Sequence, residues 1–223
     1  SSPVARPVSS VAAPSVVERR ESRPDVLTIT SPIHLELVRV PAGEFLMGSD
    51  SDNDEEAYSA EQPQHTLDLP EFYIGKYPVT NEQYAAFVEA TDHRRSEHWN
   101  TDGVPSGKED YPVVSVSWDD AMAFCRWLSR ETGKEFTLPS EAEWEKAARG
   151  PVPSEVEGTD GRIYPWGDDQ PTTELCNFYG NVGGTTPVGT YSPLGDSPYG
   201  CADMAGNVWE WTRSLWRDYP YDS

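Results

Sequence analysis

The chain has 223 residues, a formal net charge of −21 and a mean hydropathy of −0.65, with 36% hydrophobic residues. That acidity excludes binding to a nucleic-acid backbone, which needs clustered Lys and Arg, and it disfavours adhesion to an anionic membrane surface. Eight Trp, 11 Tyr and 6 Phe offset the low apolar content, and 17 Gly with 20 Pro predict a loop-rich domain around an aromatic core.

Residues 1–32 read as a Pro/Ser-rich linker without helical or strand period, and the domain is expected to span residues 33–223. The chain opens on Ser1 rather than Met, so the expectation is a piece of a longer protein. No apolar run is long enough to cross a membrane and no signal-peptide pattern is present. A soluble chain is expected, compatible with the cytoplasm, although no feature fixes its compartment.

In chain order, Leu35–Val40 alternates apolar and polar residues and predicts a strand. A turn at Pro41-Ala42-Gly43-Glu44 and a returning run through Phe45 and Met47 predict a hairpin with it. The acidic cluster Asp50, Asp52, Asp54, Glu55, Glu56 and Glu61 reads as a solvated loop, with cation binding as the alternative. Phe72-Tyr73-Ile74, stopped by Gly75 and Pro78, predicts a further strand.

Three helices follow. Thr80-Asn81-Glu82-Gln83 has the form of a capping box, with Tyr84, Phe87 and Val88 on the buried face. Ser117 caps the second, where Ala121, Phe124, Cys125 and Leu128 form an apolar stripe ended by Gly133. Ser140-Glu141-Ala142-Glu143 opens the third, which buries Trp144, Ala147 and Ala148 and stops at Gly150. Beyond residue 150, short aromatic strands between turns are expected, and the class is α+β.

The three cysteines, Cys125, Cys176 and Cys201, make no complete disulfide framework. Cys125 reads as a core thiol, while Cys176 and Cys201 either pair or stay free. His34, His65, His93 and His98 lack metal-ligand spacing, and His93 and His98 are expected in an exposed loop. Most tryptophans are expected in the core. Trp99, in the loop Glu97-His98-Trp99-Asn100, is expected to be an exposed contact residue.

Six strings then carry a family resemblance. They are Val40-Pro41-Ala42-Gly43-Glu44-Phe45-Leu46-Met47-Gly48, Tyr77-Pro78-Val79-Thr80-Asn81-Glu82-Gln83-Tyr84 and Pro112-Val113-Val114-Ser115-Val116-Ser117-Trp118. With them come Leu138-Pro139-Ser140-Glu141-Ala142-Glu143-Trp144-Glu145, Tyr164-Pro165-Trp166-Gly167 and Asp203-Met204-Ala205-Gly206-Asn207-Val208-Trp209-Glu210-Trp211-Thr212. Over residues 33 to 216 the chain resembles the formylglycine-generating-enzyme (sulfatase-modifying-factor) family.

The resemblance implies a C-type-lectin-like α+β fold with little regular secondary structure. Active members convert a sulfatase cysteine to formylglycine using oxygen and a copper ion held by two cysteines. Those cysteines lie C-terminal to the Asn-Val-Trp-Glu-Trp motif, and none of Cys125, Cys176 and Cys201 matches them. No catalytic residue is therefore carried over, and copper is expected only if polypeptide beyond this chain supplies the pair.

The resemblance also implies structural calcium. One expected site takes Asn207 and Glu210 with carbonyls of Gly206 and Val208, and a second begins at Asn177 and Phe178. The alternative is that Asn207 and Glu210 hydrogen-bond a loop to the core. Two functions stay open: a non-catalytic ligand-binding module of a larger bacterial protein, and a formylglycine-generating oxidoreductase. The first is also the use made of this fold by variable proteins of diversity-generating retroelements. A relative acting on thiol-histidine substrates needs an iron-binding partner domain. The expected partner is further C-terminal polypeptide of the same protein, with the ligand unknown.

Overall fold

The computed structural model describes residues 25–51, 54, 57–151, 162–217 and 219–220. The expected linker at residues 1–24, and Asp52, Glu55 and Glu56 of the acidic cluster, lie outside them. The order is β1 (Val26–Ile29), β2 (Leu35–Val40), β3 (Gly43–Met47), a 3-10 turn at Ser59–Glu61, β4 (His65–Leu69) and β5 (Phe72–Gly75). Helices α1 (Asn81–Thr91), α2 (Trp118–Thr132) and α3 (Glu141–Arg149) complete it.

The strands make two antiparallel sheets, one in the order β1-β2-β5 and a two-stranded β3-β4. The expected hairpin between Leu35–Val40 and the following run does not form. β2 instead lies between β1 and β5, and β3 pairs with β4 from Gly43↔Leu69 to Met47↔His65. Burial explains the choice. Leu35 and Leu37 leave one face of β2 and Val38 and Val40 the other, and all four are buried. A strand apolar on both faces belongs in the middle of a sheet covered on both sides. The sheet also begins at Val26, upstream of the expected domain start at Ile33.

Each helix starts on the cap the sequence carries. Thr80, Ser117 and Ser140 accept from the backbone N–H of Gln83, Asp120 and Glu143, and those three side chains return a bond to the cap N–H. Each such cap is worth about 1 kcal/mol. Leu35 and Leu37 pack with Tyr84, Phe87, Phe124, Trp127 and Leu128 of α1 and α2. Val38 and Val40 pack with Ala147 and Ala148 of α3 and with Cys201 and Met204. Phe45, Met47 and Leu67 of the smaller sheet close on Ala142. The central strand is thus held between α1/α2 and α3.

After α3 the expected short strands are absent among the described residues, which form turns, bends and one isolated bridge, Tyr164↔Gly167. The side-chain placements also differ from expectation. Trp99 is half-buried: its Nε1 donates to the buried Asn81 Oδ1 at 2.8 Å, and its ring meets Tyr84 edge-on. Trp209 is fully exposed, and Trp211 and Trp216 are 50% and 79% exposed, although core packing was expected. His93 is half-buried, 2.9 Å from Asp120 and packed on Phe87. All three cysteines are free, so Cys176 and Cys201 do not pair.

Candidate functional site

The Asn-Val-Trp-Glu-Trp motif forms an extended strap across the starts of α2 and α3. Trp211 Nε1 donates to the Val116 carbonyl at 3.0 Å, and Trp118 Nε1 donates to the Thr212 carbonyl at 2.9 Å. Further along, the Arg213 N–H bonds the Pro139 carbonyl at 2.8 Å, and its guanidinium forks onto Glu143, the capping-box acid of α3. That pairing holds the Glu143 carboxyl below its usual pKa against the opposing effect of burial. One residue thereby caps a helix and fastens the strap.

Beneath the strap opens a cavity of about 750 Å³ with mostly apolar walls. The edge strand β5 forms one wall, α2 contributes Phe124, Cys125 and Leu128, and residues 136–139 and 208–211 close the others. Glu210 lines the cavity and is exposed there. Desolvation, reinforced by Asp203, pushes it up to about 7. Trp144 Nε1 donates to its Oε2 at 2.8 Å, and no cation pairs with it among the described residues. Tyr84, also on the wall, has a buried hydroxyl without a partner among the described residues. Burial raises that phenol to about 12.

The expected calcium residues divide between two tasks. Asn207 pins the loops: its Oδ1 accepts from the Thr186 N–H at 2.9 Å and from Asn177 Nδ2 at 3.3 Å. Its backbone N–H bonds the Asn177 carbonyl at 2.8 Å, the Phe178 carbonyl accepts from Asn181, and the Gly206 carbonyl from Val208. Gly206 is required here, because at φ +86° a Cβ would lie 2.4 Å from the Asn177 carbonyl oxygen. Glu210 turns instead to Trp144 and the cavity. The Asn207 Oδ1, the Asn177, Phe178 and Gly206 carbonyls and the Glu210 carboxylate are thus all engaged in hydrogen bonds within the protein. No cluster of three or more His, Cys, Asp or Glu suited to a metal occurs among the described residues.

The thiols sit in separate places. Cys125 lines the cavity and burial pushes it up to about 11; Cys201 is fully buried and pushed up to about 12. Cys176 is buried and also raised. All three are held as thiols, the protonation state least suited to nucleophilic attack or soft-metal binding. Sequence reasoning missed the cavity, because its walls come from segments spread between Leu27 and Arg213. It also missed the cluster in which Arg94 forks onto Asp120, with Oδ2 2.7 Å from Nη2, beside His93 and Ser117. The visible signal for that cluster was an acid at the third position of a cap.

Residues 30–222 match the family described as Sulfatase-modifying factor enzyme 1-like domain. Among curated relatives, the chain is 34% identical over 210 residues to a hercynine oxygenase of Mycolicibacterium smegmatis, covering 82% of this chain and 46% of that one. It is 35% identical over 230 residues to a formylglycine-generating enzyme of Streptomyces coelicolor (78% and 67%). To the serine/threonine-protein kinase Pkn1 of Chlamydia trachomatis it is 34% identical over 221 residues (92% and 31%). The chain therefore spans about half the length of the hercynine oxygenase and a third of the kinase. Among solved structures, PvdO from Pseudomonas aeruginosa superposes with a TM-score of 0.72 at 28% identity, covering 89% of this chain and 78% of that one.

Proposed function

Because the chain belongs to the sulfatase-modifying factor enzyme 1-like family, with its loop-rich α+β fold, we propose that it is a non-catalytic binding module of a larger bacterial protein. Within residues 1–223, what supports this reading is the state of the thiols. Copper in this family's chemistry needs two soft thiolates side by side. Here Cys125, Cys176 and Cys201 are all free, each with a raised pKa. The fold around them is built from caps, loop pins and a strap, which suits presentation of a surface. The kinase relative, in which the matched region is 31% of the length, supports use of such a domain as an accessory module.

The relatives named formylglycine-generating enzyme favour the second reading, an oxidoreductase whose cysteine pair lies outside residues 1–223. Incubating the full-length protein with copper, oxygen and a Cys-x-Pro-x-Arg peptide separates the two. The module leaves the peptide mass unchanged, whereas loss of mass from Cys to formylglycine overturns the non-catalytic reading.

A further inference from the structure

Away from the cavity, apolar side chains stand out of the loops that follow α3. Residues 179–184 are all exposed, with Tyr179 fully so and Val182 at 54%. Tyr179 holds φ +50°, a left-handed backbone that is uncommon for a bulky side chain. Strain kept at an exposed residue points to a use for that residue. Residues 177–184 are mostly Asn, Tyr and Gly, the mix with which binding loops set adaptable polar contacts around an aromatic anchor.

The base of this loop is fastened. Asn177 Nδ2 donates to the Gly184 carbonyl at 2.7 Å, and Asn181 Nδ2 donates to the Cys176 carbonyl at 3.4 Å. A second loop rests on the same place. Gly195 lies so close to Leu175 that a Cβ would sit 2.1 Å from the Leu175 carbonyl oxygen, so only glycine fits there. That second loop is closed by the Gly195 N–H on the Tyr191 carbonyl at 2.9 Å and by Ser192 Oγ on Asp196 Oδ1 at 2.6 Å. It carries Leu194, which is 62% exposed. Two loops anchored on the adjacent residues Leu175 and Cys176 thus hold exposed apolar tips over a bonded base, the build of a recognition surface.

Charge selects the partner. Between Ile163 and Thr212 the chain has no Lys, Arg or His, while Glu174, next to Leu175, is exposed and Asp196, next to Gly195, is half-buried. We propose that Tyr179, Val182 and Leu194 form a docking face for a polypeptide that carries Lys or Arg beside large apolar side chains. The apolar groups of that partner pack on Tyr179 and Leu194, and its cations lie towards Glu174 and Asp196. A second copy and an anionic membrane are both repelled by the net charge of −21. The inference goes beyond the preceding reading, because such a face serves a binding module and an oxidoreductase alike.

The test titrates the full-length protein with three synthetic peptides of equal length, one alternating Leu and Lys, one Ser and Lys, and one Leu and Glu. The Leu/Lys peptide should bind at least about tenfold more tightly than either of the others. Tyr179→Ala should weaken that binding at least about tenfold and move the Tm by less than about 1 °C, since the ring is fully exposed. A Leu/Lys peptide that binds no better than the Ser/Lys peptide overturns the proposal, because charge alone then suffices. So does binding that survives Tyr179→Ala and is lost in Tyr58→Ala, which moves the contact to the acidic loop around the exposed Tyr58. A dimer of the protein alone that Tyr179→Ala dissolves overturns it in favour of a second copy.

Discussion

Asp120 serves three neighbours at once. It caps α2 through the Ser117 N–H at 2.8 Å, takes the Arg94 fork, and lies 2.9 Å from His93. The guanidinium of Arg94 and the Ser117 bonds hold its carboxyl far below the usual carboxylate range, against the opposing effect of burial. A carboxyl depressed in the folded state stabilises the fold above its unfolded pKa and loses that contribution as pH falls. Asp120→Asn should therefore cost about 2 kcal/mol at pH 7, the worth of a hydrogen bond to a charged group with part of a cap. Urea denaturation should show the gap between wild type and variant constant from about pH 7 to 5 and shrinking below about pH 4. A gap that persists unchanged at about pH 2 would remove the electrostatic account. Half-exposed Arg94 can return to water in the variant, which keeps the cost below that of a fully buried pair.

The elements were legible in proportion to how local their causes are. Caps lie within four residues, so Thr80, Ser117 and Ser140 announced all three helices and Gly133 and Gly150 their ends. Strand pairing is not local. β3 finds β4 across residues 48–64, while β2 is claimed from both sides, so the expected hairpin failed although its strands were correctly placed. The residues expected to hold calcium show the same dependence on distant partners. A motif specifies which oxygens exist, but the partners Thr186 and Trp144 that occupy them come from elsewhere in the chain. Those bonds predict that the loops hold without a cation. Chelation with EGTA should move the Tm by less than about 1 °C. A rise of several degrees in millimolar calcium, abolished by Glu210→Gln, would restore the metal site and displace the Trp144 bond as the role of Glu210.

At the scale of the whole molecule, exposure of the tryptophans was the least legible feature. Trp99 sits against the core because a buried Asn81 needs its indole N–H, and Trp209 stands in solvent because nothing described packs over the strap. Neither fact is contained in the residues' own neighbourhoods. The same global arrangement sets an order of thiol reactivity. Cys125 is half-buried and borders the open cavity, whereas Cys176 and Cys201 are 4% and 0% exposed. Iodoacetamide followed by peptide mass spectrometry should therefore modify Cys125 first, with the other two labelled only on unfolding. The thiolate is the reacting form, so with its pKa near 11 Cys125 should react more slowly than free cysteine at pH 8. Its rate should rise about tenfold per pH unit up to that value. Rapid labelling of Cys125 at pH 7 would mean a lowered pKa and a cation near it that the structure does not place there. A thiol so activated beside the cavity would be the strongest reason to return to the oxidoreductase reading.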